Sequence, residues 1–314
     1  MKQILGIFAL CLFLPGSVEG ADYDASMLPL CQQLASNPDD EVLRTQFIEH
    51  RNIALIKEGL GDKFHVSFEQ ISDQKDRIEH YGSKLPALQR SLPQLELQAG
   101  KFLGENAVPE AMKIHLVCGM RSDGFGFSID GKQRLFVNLA LVAPDFFPSL
   151  LRHELWHVAF RARYPVIVEK YERSTNPFKR LSFIMLNEGV GHYYSFQRRV
   201  EPSMAYENWA ERTDRIFILL NKNTLQLGTM QSSDELENLL FASHAGVPFW
   251  QKWAALSGAI MTYRLNKTLD QNQMRKVISA GPCQFLSRYQ TEALERPAWQ
   301  PVPDILLNAA CEQP

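Results

Sequence analysis

Polar and apolar positions along the chain fall into three regimes. Over residues 39–59, 67–80 and 85–98, apolar side chains recur at helical spacing, as in Leu43, Phe47, Ile53 and Ile56, and predict an amino-terminal helical layer. Met112-Lys113-Ile114-His115-Leu116-Val117-Cys118 alternates instead, with β-branched residues, and predicts a strand. A glycine-rich run from Asp123 to Ile129 and a turn at Asp130-Gly131 then lead to Arg134-Leu135-Phe136-Val137-Asn138-Leu139, which reads as a hairpin partner. These glycines read equally well as turn and bulge residues. They form no phosphate loop, because no Gly-Lys-Ser/Thr follows. Helical patterning resumes near Phe146 and returns over 203–222 and 233–243, and Pro297 to Pro303 reads as an extended strap. The expected fold class is α+β, mainly helical, with a small sheet ahead of a helix that starts near residue 147. The expected division is an amino-terminal helical region over 21–105 and a second region over 106–314.

The helix after the sheet carries the chemistry. Leu151-Arg152-His153-Glu154-Leu155-Trp156-His157 places two imidazoles four residues apart, on one helical face, where both ring nitrogens can meet one metal ion. Glu154 lies one position round and suits a general base that takes a proton from water at that metal. Leu150, Leu151, Leu155, Val158 and Ala159 give the helix an apolar face, and Phe146-Phe147-Pro148-Ser149 reads as its entry, with proline near the first turn.

A catalytic zinc site needs a third protein ligand. Glu188, in Phe183-Ile184-Met185-Leu186-Asn187-Glu188-Gly189-Val190-Gly191-His192-Tyr193-Tyr194, is an ionisable group in a stretch that reads as a buried helix. Unpaired burial would cost several kcal/mol, roughly, and a cation removes that objection. A structural ion pair with Arg161, Arg163 or Arg180 would remove it too. Gly189 and Gly191 suggest close approach to another element, with the first metal helix as the expected neighbour. His192, four residues after Glu188, is an alternative third ligand or a group that touches a substrate oxygen. Tyr193, Tyr194 and the distal His244 are candidate donors to an oxyanion, and each is also an ordinary packing residue by its neighbours.

His-Glu-x-x-His followed by a glutamate on a second helix resembles the gluzincin class of zinc metallopeptidases, and the Asn-Glu-Gly-x-Gly-His-Tyr wording is similar to compact bacterial zinc-dependent peptidase families. The resemblance covers residues 112 to 195. It implies a zincin-like fold, a zinc cofactor held by His153, His157 and Glu188, Glu154 as general base, and a peptide or protein substrate. Thermolysin-like members place an aspartate three or four residues after the third ligand, where this chain has Gly191 and His192. The alternative is an exported protein that holds zinc for binding or structure without turnover.

The amino terminus sets the expected compartment. Met1-Lys2-Gln3 gives a short positive start, Ile4 to Pro15 is almost wholly apolar, and Ser17-Val18-Glu19-Gly20 offers cleavage before Ala21. That pattern predicts a signal peptide over residues 1–20, no membrane span after its removal, and a periplasmic or secreted product. Cys31, Cys118, Cys283 and Cys311 then remain, with Cys31 to Cys311 as the expected tie between the two ends. The 314 residues suffice for one or two domains. With 33 basic and 35 acidic residues scattered along the chain, nothing supports nucleic-acid binding.

Overall fold

The computed structural model describes residues 21–104, 106–110, 112–195 and 208–312. The expected signal peptide, residues 1–20, lies outside the described residues, as does the start of the helix expected over 203–222.

The chain opens with strand β1 (Asp22–Asp24) and helix α1 (Leu28–Ser36), neither expected from the sequence. The helix expected over 39–59 is divided into α2 (Glu41–Glu49) and α3 (Arg51–Leu60). His50 leaves the helical backbone at ψ 140°, and its Nδ1 accepts from the Asn52 N–H at 3.1 Å, capping the second helix. Next come α4 (Phe68–Asp73) and α5 (Lys75–Ala99), so the break expected between 80 and 85 falls instead at Gln74. α5 runs on through Pro86 and Pro93. An interior proline costs about 3 kcal/mol. Burial of Ile78, Tyr81, Leu88, Leu92, Leu95 and Ala99 along one side offsets that cost.

The sheet contains β2 (Lys113–Val117), β3 (Gly124–Ile129) and β4 (Lys132–Asn138) besides β1, in the order β1-β2-β4-β3. β1 with β2 and β2 with β4 run parallel, while β3 and β4 form the expected antiparallel hairpin. Its turn residues Asp130 and Gly131 both have positive φ, at 51° and 72°, which matches strand twist in a two-residue hairpin. β3 is thereby left at the sheet's edge.

Helix α6 (Phe147–Arg163) follows the sheet and starts at the expected entry. It stops at Tyr164, the residue before Pro165, where helical backbone is disfavoured. Short turns, α7 (Pro165–Ile167) and a π-helical turn over Val168–Glu172, lead to α8 (Pro177–Ser195). Asn176 Oδ1 accepts from the Phe178 and Lys179 N–H groups at 2.9 and 3.3 Å, and proline occupies the first helical position. Among the described residues the further α-helices are α9 (Trp209–Thr229), α10 (Ser233–Ala242), α11 (Trp253–Thr268), α12 (Gln271–Ser279), α13 (Pro282–Leu294) and α14 (Asp304–Cys311). No described helix is long and apolar enough to cross a membrane.

α6 is buried because it lies between two apolar cores. Leu150, Leu151, Leu155 and Val158 join the sheet and the amino-terminal helices, whereas Trp156, Ala159 and Phe160 join α8 and the carboxy-terminal helices. The arrangement, a small sheet ahead of a metal-helix candidate in a mainly helical chain, matches a zincin-like α+β topology.

The disulfides correct one expectation. Cys31 pairs with Cys118 and Cys283 with Cys311, not Cys31 with Cys311. Cys31 on α1 packs beside the end of β2, and Cys283 on α13 beside the end of α14, so each bond closes within one half of the fold. With 87 and 28 residues between the partners, loop-closure entropy assigns the bonds about 4–5 and 3–4 kcal/mol.

Candidate metal centre

α6 and α8 bring three ligand-type side chains to one point. His153 and His157, one helical turn apart, are both buried, and their Nε2 atoms lie 2.9 Å apart. Glu188 closes the triangle, with Oε2 3.4 Å from His153 Nε2 and Oε1 3.4 Å from His157 Nε2. Ligands at about 2.0–2.1 Å from a tetrahedral ion stand about 3.3–3.4 Å from one another. The two imidazole–carboxylate separations match that spacing and the imidazole–imidazole separation is shorter, with a different Glu188 oxygen facing each ring; two imidazoles with a carboxylate form a donor set that suits zinc. The cluster can hold a divalent cation.

Burial would raise the Glu188 carboxyl, but His157 and His153 outweigh it and hold the group well below the usual carboxylate range. Two of the three arginines that could have paired with Glu188 are engaged elsewhere. Arg161 Nη2 binds Glu172 Oε1 at 2.7 Å, and Arg180 Nη2 binds Glu237 Oε2 at 2.6 Å.

Two glycines admit the neighbouring side chains. A methyl on Gly191 would lie 3.0 Å from His153 Nδ1 and 3.2 Å from Trp156 Cδ1, so this residue lets α8 reach α6, as expected. Gly189 faces a different partner. Its methyl would lie 2.5 Å from the Gly258 carbonyl carbon, and one on Gly258 would lie 1.9 Å from the Met185 carbonyl oxygen. The backbones of α8 and α11 are in contact there, which a sequence read one helix at a time does not reveal.

Glu154 sits between the cluster and the edge strand. A methyl on Gly124 would fall 3.0 to 3.1 Å from its Cγ, Cδ and Oε1, so the first glycine of β3 makes room for this carboxyl. Gly126 likewise lets Val158 approach, with 3.4 Å from an added methyl to its Cγ2. Burial pushes the Glu154 carboxyl up to about 7, with Asp123 and Glu188 acting in the same direction and His153 and Arg161 against it. A carboxyl near 7 is matched to proton transfer in both directions near neutrality.

The other candidates occupy separate positions. His192 Nδ1 donates to the Glu188 carbonyl at 3.0 Å, its ring meets that of His153 edge-on at 4.6 Å, and Phe249 stacks against it at 6.0 Å. Burial, then His153, keep this imidazole neutral. His192 thus packs beside the three convergent donors. His244 Nδ1 donates to the Leu240 carbonyl at 3.0 Å, and its ring lines a cavity of about 170 Å³ together with Glu188, Asn187, Arg161 and Arg180. The Tyr193 hydroxyl accepts from Asn266 Nδ2 at 2.9 Å, and Tyr194 packs on Phe102 and Trp156. Both tyrosines border a different cavity from the one shared by Glu188 and His244.

Sequence reasoning missed Phe249 beside His192 and the positioning role of Trp156, whose indole N–H donates to the Asn187 carbonyl at 2.8 Å. No protein-family model, no curated protein and no solved structure matches the chain.

Proposed function

We propose that the protein is a zinc-dependent hydrolase of the gluzincin type, acting on peptide bonds, in which His153, His157 and Glu188 hold the metal and Glu154 is the general base. The observation that carries this reading is the convergence of the three donors on two helices, with Glu154, on the helix of the two histidines, facing the glycine that opens the edge strand. When bound, zinc supplies a Lewis acid that polarises a substrate carbonyl and acidifies water. Glu154 takes the proton of the attacking water and returns it to the departing amine. His192, neutral and tied to the Glu188 carbonyl, keeps the His153 ring from turning. His244 borders the space next to Glu188, but burial lowers its pKa and its Nδ1–H is already given to the Leu240 carbonyl, so the neutral ring offers an acceptor there and not an oxyanion donor.

A peptide substrate is favoured by the position of β3. Its outer edge is unpaired among the described residues, and its first residue abuts Glu154. An extended chain that adds to that edge through main-chain hydrogen bonds runs past the base. The signal-peptide pattern and the two disulfides support an exported protein, periplasmic or secreted. The competing reading, zinc held without turnover, gives no reason for a glutamate at 154 beside a glycine that makes room for it.

Metal analysis with three proteins tests the proposal. The wild type is expected to carry about one zinc per chain, Glu154→Gln to keep it while losing chelator-sensitive cleavage of a peptide library, and Glu188→Ala to lose most of it. Full zinc occupancy in Glu188→Ala would remove the third ligand from the scheme. Unchanged cleavage by Glu154→Gln would remove the base.

A further inference from the structure

A second polar cavity, of about 390 Å³, opens where the end of α5, α6, α8 and α11 meet. It is lined by Lys101, Arg152 and Lys267 together with Gln98, Asn266 and the two tyrosines, and contains no acidic residue. Arg152 is its centre. The guanidinium is half-buried, and its two Nη atoms donate to neutral acceptors, Gln98 Oε1 at 3.1 Å and Ser149 Oγ at 3.2 Å. Its Nε is buried without a hydrogen-bond partner. Among the described residues no carboxylate forms an ion pair with Arg152, Lys101 or Lys267, and the two lysine ammonium groups lie over the Phe102 and Tyr263 rings at 5.4 and 5.3 Å. Partly desolvating a cation beside two further cations is unfavourable, and the protein supplies no counter-charge.

We infer that this cavity is a binding site for a phosphate-class oxyanion, with Arg152 at its base and Lys101 and Lys267 at its mouth. Three positive groups from three different segments line it. A planar carboxylate offers two oxygens and one charge. A tetrahedral dianion offers acceptors to all three groups and balances more of their charge. Asn266, already oriented by the Tyr193 hydroxyl, and Gln98 supply a polar rim. The site does not depend on the hydrolase reading, but it shares that reading's framework. Arg152 precedes His153 on α6, and Tyr193 follows His192 on α8, so a bound anion would brace the two helices that carry the metal ligands.

Calorimetric titration of inorganic phosphate, at constant ionic strength set with chloride, tests the assignment on the full mature chain. The expected result is one site, weakened at least tenfold in Arg152→Met, which keeps the aliphatic packing, and several-fold in Lys101→Ala and Lys267→Ala. Should Arg152→Met fail to fold, the Lys101→Ala/Lys267→Ala double variant, changed only at exposed positions, carries the same test. Glu188→Ala is expected to bind phosphate as the wild type does, which separates this cavity from the metal cluster. Ethyl phosphate is the second ligand, and equal binding of it extends the class to monoesters. Phosphate affinity unaltered by all the cavity variants, loss of phosphate binding in Glu188→Ala alone, or acetate binding as tightly as phosphate would overturn the assignment.

Discussion

Trp156 Nε1 donates to the carbonyl oxygen of Asn187 at 2.8 Å, joining the helix that carries both histidines to the residue immediately before Glu188. The indole is fully buried, so the bond is made away from water and fixes how α8 is placed along α6. Trp156→Phe keeps most of the apolar contact and removes the donor, leaving a carbonyl in the core. The expected loss is about 1–3 kcal/mol of stability, with zinc affinity lowered about tenfold, a size seen when partners that orient metal ligands are removed. Urea denaturation and competition with a zinc chelator measure the two effects. Unchanged zinc affinity in a destabilised variant would show that the bond serves the fold alone.

The glycine contacts predict a graded series. Gly258→Ala sets a methyl 1.9 Å from the Met185 carbonyl oxygen, and neither backbone can yield without separating α8 from α11. Overpacking of this kind costs typically about 1–3 kcal/mol and more where main chain is involved, so the variant is expected to lose at least about 3 kcal/mol or fail to fold. Gly191→Ala meets side-chain atoms of His153 and Trp156 at 3.0 and 3.2 Å, which a small ring shift relieves. Its stability is expected to change by less than about 1.5 kcal/mol, while zinc affinity falls because the shift is taken by a ligand. Thermal melts of both metal-free proteins and zinc titration of the second provide the comparison.

Gly124→Ala separates the base from the ligands. The three atoms nearest the added methyl all belong to Glu154, at 3.0 to 3.1 Å. Zinc content is expected to stay at the wild-type level, while cleavage by the proposed hydrolase falls about tenfold or more, because small misplacements of a reacting group are costly. Loss of metal from this variant would place Glu154 among the groups that hold it.

The sequence revealed the site more readily than its frame, for a physical reason. His153 and His157 announce themselves because ligation on one helix has a fixed spacing, and Glu188 because a carboxylate among Ile184, Met185 and Val190 needs an explanation. The Asp130-Gly131 hairpin is equally local. By contrast, β1 is three residues long and exists only because β2 offers it an edge. α5 passes two prolines because its buried side is held by elements far away in the chain. The disulfide pairing and the contact of Gly189 with Gly258 depend on which helices become neighbours. Spacing within one segment contains none of that information.

His115, on β2, is wholly buried and predicts an acid-sensitive fold. Its Nδ1 lies 3.1 Å from both Asp24 Oδ2 and Asn52 Oδ1, two acceptors, so that nitrogen carries the hydrogen. Nε2 accepts from Arg134 Nη1 at 3.3 Å, and the ring stacks on Phe136 at 4.7 Å. This arrangement needs the neutral imidazole. Burial, aided by Arg134 and Arg51, outweighs Asp24 and lowers the group from 6.5 to about 4. Because the folded value is the lower one, the unfolded chain takes up the proton first. The contribution is complete above pH 6.5 and is lost as pH falls towards 4, a change on the order of 2–3 kcal/mol at about 1.4 kcal/mol per pKa unit. His115→Asn keeps a donor near Nδ1 and removes the titration. Urea denaturation of metal-free protein between pH 7 and 4.5 should show a steeper decline for the wild type than for this variant. Parallel declines would mean that other groups, not His115, set the acid limit.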